Sequence, residues 1–154
     1  EFMQVMDEAV RNGYTFAWGS DVSEKGFNSR KGIASVPVGK SNDKTGSDAA
    51  RWTGDNFKGA TISGGDDEMT ITQEMRQVAY DNWETTDDHG MQIYGIAKDQ
   101  NGTEYYMVKN SWGEAGTYKG LWYVTKAFAR YKTMNIVVHK NAIPKDIRKK
   151  LNIK

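Results

Sequence analysis

Two runs of this chain hold residues whose types and spacing could do chemistry. Asp87-Asp88-His89-Gly90-Met91-Gln92-Ile93-Tyr94-Gly95-Ile96 carries a histidine near its start, and Tyr105-Tyr106-Met107-Val108-Lys109-Asn110-Ser111-Trp112-Gly113 closes on Asn-Ser-Trp-Gly. Asp99-Gln100-Asn101-Gly102 between them is a turn sequence, so the runs are expected to pair as a hairpin. Paired strands sit roughly 4.8 Å apart. His89 and Asn110 lie at nearly equal distances from the turn, so their Cα atoms are expected to face each other. A carboxamide oxygen that accepts the imidazole N–H holds one tautomer and leaves the other ring nitrogen free to take a proton. That is an orienter–base arrangement for nucleophilic catalysis. The same two residues can equally form a satisfied polar pair in a sheet, and spacing alone leaves both readings open. Trp112 could keep water from the histidine–asparagine bond, or simply pack in the core. His139, beside Lys140 at a strand end, is expected at the surface.

Bulk properties narrow the classes. A chain of 154 residues is long enough for one domain with a buried core. Its 21 basic and 20 acidic residues nearly cancel, which gives no electrostatic case for nucleic acid or an anionic membrane. The one basic cluster, Arg148-Lys149-Lys150, is expected on a solvated terminal helix. No apolar run approaches the roughly 20 residues that span a bilayer, and no signal-peptide pattern is present. The chain starts Glu1-Phe2 rather than with Met and is expected to be a piece of something longer, which leaves the compartment open. With no cysteine, the chain has no disulfide, thiolate metal site or thiol nucleophile of its own. Two histidines make a multi-histidine metal site an unpromising reading, and no cofactor is expected.

The elements that must position the pair can be read in order. Phe2, Val5, Met6, Ala9 and Val10 share one helix face, and Gly13 is placed to end that helix. Residues 14–22 are rich in aromatic and β-favouring types and are expected to form a strand leading into a turn at 23–26. A shorter extended segment is expected at 32–38, with Pro37 keeping it at a sheet edge. Residues 39–68, rich in Gly, Ser, Asp and Asn, read as a long surface excursion anchored by Trp52 and Phe57. Its glycines do not form a phosphate-binding loop.

A helix is expected over 72–83, capped by Thr70 or Thr72, with Met75, Val78, Ala79 and Trp83 as its apolar face. After the hairpin, strands are expected at 120–125 and 134–138, with one helical turn between them at 126–131. Pro144 suits the first turn of a last helix in which Ile143, Ile147 and Leu151 share a face. The fold class is α+β: a strongly curved antiparallel sheet, a half-barrel, flanked by helices in a single domain.

These residues carry a resemblance. Asp88-His89-Gly90-Met91, then Val108-Lys109-Asn110-Ser111-Trp112-Gly113-Glu114 and Gly120-Leu121-Trp122-Tyr123, resemble the C-terminal half of a papain-like cysteine peptidase. The bleomycin hydrolase and aminopeptidase C branch is the closer match. Phe16-Ala17-Trp18-Gly19-Ser20-Asp21-Val22 resembles that branch's segment before its insertion. Ile136-Val137-Val138 and the Ile143-Pro144 helix resemble its closing strand and helix. The resemblance implies that His89 is the general base and acid, Asn110 its orienter and Trp112 its shield. Asp88 would lie near the substrate cleft and tune pH dependence or preference, or remain a solvated loop acid. Ser20 matches a position that is not the nucleophile.

Two departures follow. The family's nucleophilic cysteine and oxyanion-hole glutamine belong to an N-terminal half, which becomes the expected partner, with a peptide as substrate. An imidazole with no thiol beside it cannot generate the attacking thiolate, so this chain alone is expected to be inactive. Members of the branch can also carry a C-terminal arm in the cleft, whereas here Leu151-Asn152-Ile153-Lys154 follows directly on the last helix, which leaves exo- or endopeptidase action open. Apolar surface on residues 2–10 and 14–22 is expected to be exposed where the other half docks, with a homo-oligomer as a further expectation. The competing reading is a non-catalytic module, a cysteine-less pseudo-peptidase that binds peptide or glycan. Resemblance to aminopeptidase C would make the compartment cytoplasmic.

Overall fold

The hairpin forms the middle of a sheet that runs through most of the chain. The computed structural model describes residues 1–23, 26–36 and 68–154. Among these, seven strands form one sheet in the order β2-β3-β6-β5-β4-β1-β7. The strands are β1 (Phe16–Ser20), β2 (Phe27–Asn28), β3 (Ile33–Ala34), β4 (His89–Lys98), β5 (Glu104–Lys109), β6 (Leu121–Thr125) and β7 (Thr133–Val137). The helices are α1 (Phe2–Arg11), α2 (Gln73–Asp81), α3 (Lys126–Lys132) and α4 (Lys145–Lys150), with a 3-10 turn at Lys140–Ala142. The sheet curls into the expected half-barrel with helices around it. All its pairs are antiparallel except β3 with β6, a parallel contact that alternation along single strands could not reveal. β3 is also not the edge, because the two-residue β2 covers it. Pro37, Trp52, Phe57 and the excursion read at 39–68 lie outside the described residues, apart from Glu68.

α1 buries Val5, Met6 and Ala9 and lies against β4. Gly13, at φ +81°, lets the chain leave the helix in the left-handed conformation. Its N–H reaches Val10 O and that of Tyr14 reaches Ala9 O, which together satisfy the last carbonyls. Asp7 on the same helix accepts from Tyr106 Oη and pairs with Lys126, so α1 is tied to β5 and α3 by polar contacts as well. Burial and the Asp7 carboxylate both push the Tyr106 hydroxyl's pKa up.

The core is built from Met6, Trp18, Ile93, Tyr106, Val108, Trp122, Val124 and Phe128. Trp18 is fully buried and donates from Nε1 to Thr133 Oγ1 at 2.7 Å, joining β1 to the start of β7. Of residues 2–10 and 14–22, Val5, Met6, Ala9, Phe16 and Trp18 are buried in this domain, while Phe2, Met3, Val10, Tyr14 and Val22 are partly buried and pack against its core. The expectation that they form an exposed docking face is not met. The large exposed apolar side chains instead include Val78, Tyr80 and Trp83 at α2, and Val137 and Leu151.

Two helix faces depart from expectation in the same direction. α2 is capped by Thr72, whose Oγ1 accepts from Met75 N at 3.1 Å, but of its predicted apolar face only Ala79 is buried. Trp83 is 82% exposed and holds a left-handed backbone at φ 64°. On α4, Ile147 is buried while Leu151 is exposed. Periodicity finds a stripe but cannot say how much of it meets another element.

Candidate active site

His89 opens β4 and Asn110 follows directly on β5. Their Cα atoms are not opposite each other. The ladder runs Gln92↔Lys109 and Ile93↔Val108, then shifts at Tyr94 to Gly95↔Met107. One step beyond Gln92, Met91 rather than His89 falls opposite Asn110. His89 is therefore the diagonal neighbour on the same face, a spacing that longer side chains still bridge. The register expectation failed because His89 lies nine residues from the turn-closing pair Lys98↔Glu104 and Asn110 only six. The shift at Tyr94 takes up one residue of that difference, which leaves His89 close enough for the expected contact.

The side chains meet at His89 Nε2 and Asn110 Oδ1, 2.7 Å apart. The roles in this bond are fixed by a neighbour. Ser111 N, which can only donate, also reaches Asn110 Oδ1 at 2.7 Å. A flipped carboxamide would set its NH2 against that N–H, so the oxygen must face both donors. Because Oδ1 only accepts, His89 Nε2 carries the proton, and Nδ1 is left as the basic nitrogen. Asn110 is buried, so the bond is shielded from competing water on the asparagine side.

Trp112 covers the imidazole. Its ring lies 4.6 Å from that of His89 at a 35° tilt and meets buried Trp122 edge-on at 6.1 Å. It is 47% exposed, so it is a roof over the pair rather than part of the core. The loop that carries it is closed by backbone bonds from Asn110 N to Gly120 O and from Gly120 N to Ala115 O. Gly120 sits at φ +83°, where a Cβ would stand 2.0 Å from Gly113 O, so this position admits only glycine without rearranging the loop.

Asp88 is exposed, and its carboxylate turns back to accept Val22 N–H at 2.9 Å and Ser23 N–H at 3.2 Å. It is thus a structural tie beside His89, a role that neither expectation for it had included. Ser20 is buried and donates to Lys132 O, which agrees with its exclusion as a nucleophile. His139 is exposed; it stacks on Tyr14 and accepts from Asn141 N through Nδ1.

Asp21 and Lys132 went unnoticed in the sequence. Both are buried next to the segment that leads into His89. Burial raises the Asp21 carboxyl's pKa, partly offset by the Thr86 N–H and the Lys132 charge. Nothing in composition marks a lysine on a short helix as buried. The only available signal was Asp21's place at the end of an otherwise apolar strand. Among the described residues no cluster of His, Cys, Asp and Glu could hold a metal.

Residues 66–154, more than half of the chain and including His89, Asn110 and Trp112, match the Peptidase C1-like family. No curated protein sequence matches the chain. Among solved structures, PepW from Lactobacillus rhamnosis HN001 is similar at a TM-score of 0.61 and 21% identity, over 99% of this chain and 30% of that one. The bromelain protease from Ananas comosus, solved with the E64 inhibitor, gives a TM-score of 0.44 and 14% identity over 86% of this chain and 43% of that one. The likeness to PepW is one of fold, and this chain spans 30% of that protein's length.

Proposed function

The chain belongs to the Peptidase C1-like family, and from that premise we propose that it is the base-bearing half of a cysteine peptidase whose nucleophile comes from another segment. One observation carries the reading. The Asn110 amide, pinned by Ser111 N–H, holds His89 in the tautomer that leaves Nδ1 basic. That geometry serves a neighbouring acid that must give up a proton, and the sequence contains no thiol to be that acid.

The proposed chemistry follows. Nδ1 of His89 takes the proton of a cysteine thiol supplied by an N-terminal half, and the thiolate attacks the peptide carbonyl carbon. A glutamine from the same half would help stabilise the oxyanion. The imidazolium returns its proton to the leaving amine, which departs and leaves an acyl-thioenzyme. Nδ1 then deprotonates a water that attacks the thioester, releasing the acid and restoring the thiol. Throughout, Asn110 keeps the ring in plane and Trp112 keeps water from the Nε2–H···O bond. The bleomycin hydrolase and aminopeptidase C branch is the proposed affiliation, supported by the segments around Phe16–Ser20 and Ile143-Pro144.

The test is complementation. Mixed with a cysteine-bearing N-terminal half, the chain is expected to turn over aminoacyl or dipeptidyl fluorogenic substrates that neither part cleaves alone. Turnover by the 154 residues alone would overturn the reading. A second reading, a cysteine-less module that binds peptide or glycan, is favoured by the exposed Val78, Tyr80 and Trp83. It predicts ligand binding that is lost in Trp83→Ala and indifferent to His89→Ala.

A further inference from the structure

β4 is reached through residues 84–88, which have no regular secondary structure. A backbone outside any ladder is placed by whatever its polar groups bond to. Here Lys132 Nζ donates to Thr85 Oγ1 at 3.0 Å and to Glu84 O at 3.4 Å. Thr86 N–H donates to Asp21 Oδ2 at 2.9 Å. The Asn135 amide donates to the Asp87 carboxylate, and Asp88 reaches back to Val22 and Ser23. Ser23 N–H also donates to Asp21 Oδ1 at 3.1 Å, so two carboxylates share one donor. On the other side, Ser20 Oγ and Asp21 N–H both donate to Lys132 O, at 2.9 and 3.1 Å. Ser20 is the Cα partner of His89 across β1 and β4.

Asp21 is 4% exposed and Lys132 is fully buried. Burying charge is costly, and well-packed apolar replacements of buried ion pairs are often as stable or more so. Stability alone is therefore a weak account of these two residues. What an apolar residue could not do is hold the Thr86 N–H, the Glu84 carbonyl and the Thr85 hydroxyl.

We propose that Asp21 is a positioning residue for His89: by binding Thr86 N–H, with Lys132 holding Glu84 and Thr85, it fixes the run into β4 so that the imidazole stays on Asn110 Oδ1. Its functional meaning rests on His89 being the base, but its test does not. The measurement is water exchange of the His89 Nε2–H by NMR on the 154-residue chain, beside the ladder amides of β4 and β5. Asp21→Ala is expected to speed Nε2–H exchange about tenfold or more while the ladder amides keep their protection, as the loss of a buried acceptor implies. Asp21→Asn keeps the shape but sets an NH2 against one of two backbone donors. It is expected to shift exchange in the same direction to a smaller extent, and it carries the test if Asp21→Ala does not fold. Unchanged His89 exchange in a folded variant overturns the proposal. So does equal acceleration of His89 and the ladder, which would mark general loosening. Failure of the base reading shows elsewhere, as turnover that survives His89→Ala in the complemented enzyme.

Discussion

At the scale of single residues, the site depends on one oxygen accepting two donors. Asn110 Oδ1 takes His89 Nε2–H and Ser111 N–H, and that double acceptance decides which imidazole nitrogen is basic. Asn110→Ala should therefore leave a histidine that is present but unoriented. In the complemented enzyme we expect kcat to fall by about a hundredfold with KM little changed, the scale on which small misplacements act. Trp112→Ala removes the roof without emptying a core site. Turnover is expected to fall about tenfold, worth about 1.4 kcal/mol of barrier, while the melting temperature barely moves. A large loss of melting temperature would instead make Trp112 a core residue. That Asn110 and Trp112 lie against His89 was legible from Asn110-Ser111-Trp112-Gly113 because those contacts depend on residue types in a fixed order. Asp21 and Lys132 were not, because their importance lies in burial, which no local pattern of one aspartate or one lysine reports.

At the scale of elements, the hairpin was readable from its turn and alternation, and its register was not. The shift at Tyr94 moves Met91 opposite Asn110 and makes His89 a diagonal neighbour. The helices were found with nearly the right bounds, but their exposed residues were not, as Trp83 shows. It occupies a position past the end of α2 where a left-handed backbone favours glycine, and it buries little. Trp83→Gly is expected to raise stability by about 0.5–1 kcal/mol in thermal or urea unfolding. A clear loss would show that the indole is packed against something.

Glu68 gives a test of opposite character. Burial raises its carboxyl's pKa, against the hydrogen bonds from Thr125 Oγ1 and Val36 N, both received by Oε1. Because the folded chain holds this proton more readily than the unfolded one, the group's contribution is full below the unfolded pKa and is lost as pH rises through the raised folded value. Glu68→Gln keeps a carbonyl for both donors and removes the charge. It is expected to be more stable than wild type near neutral pH, with the difference closing on acidification. Equal stability at neutral pH would contradict this.

At the scale of the whole molecule, a half-barrel closes around Trp18, Tyr106, Trp122 and Phe128 and presents His89 at one end of its middle strands. Trp18→Phe loses the bond to Thr133 and leaves a gap in that centre, and is expected to cost about 2–4 kcal/mol by denaturant unfolding. The α+β class was legible because helical periodicity at 2–12 and 72–83 and strand-type patterning at 14–22, in the hairpin, at 120–125 and at 134–138 occupy separate stretches of the chain. The parallel β3–β6 contact was not, since it depends on where the chain returns after residues far apart in sequence. The family match covers the part that carries His89, Asn110 and Trp112, while the thiol they would serve has to come from beyond these residues. The most direct measurement of that dependence is the rate at which the partner half's cysteine is alkylated as a function of pH. With this chain bound, rapid alkylation is expected to persist well below the ordinary thiol range, because imidazolium at His89 stabilises the thiolate, and His89→Ala should return the profile to that of a free thiol. A low-pH thiolate that survives His89→Ala, or none with the wild-type chain bound, would contradict the account.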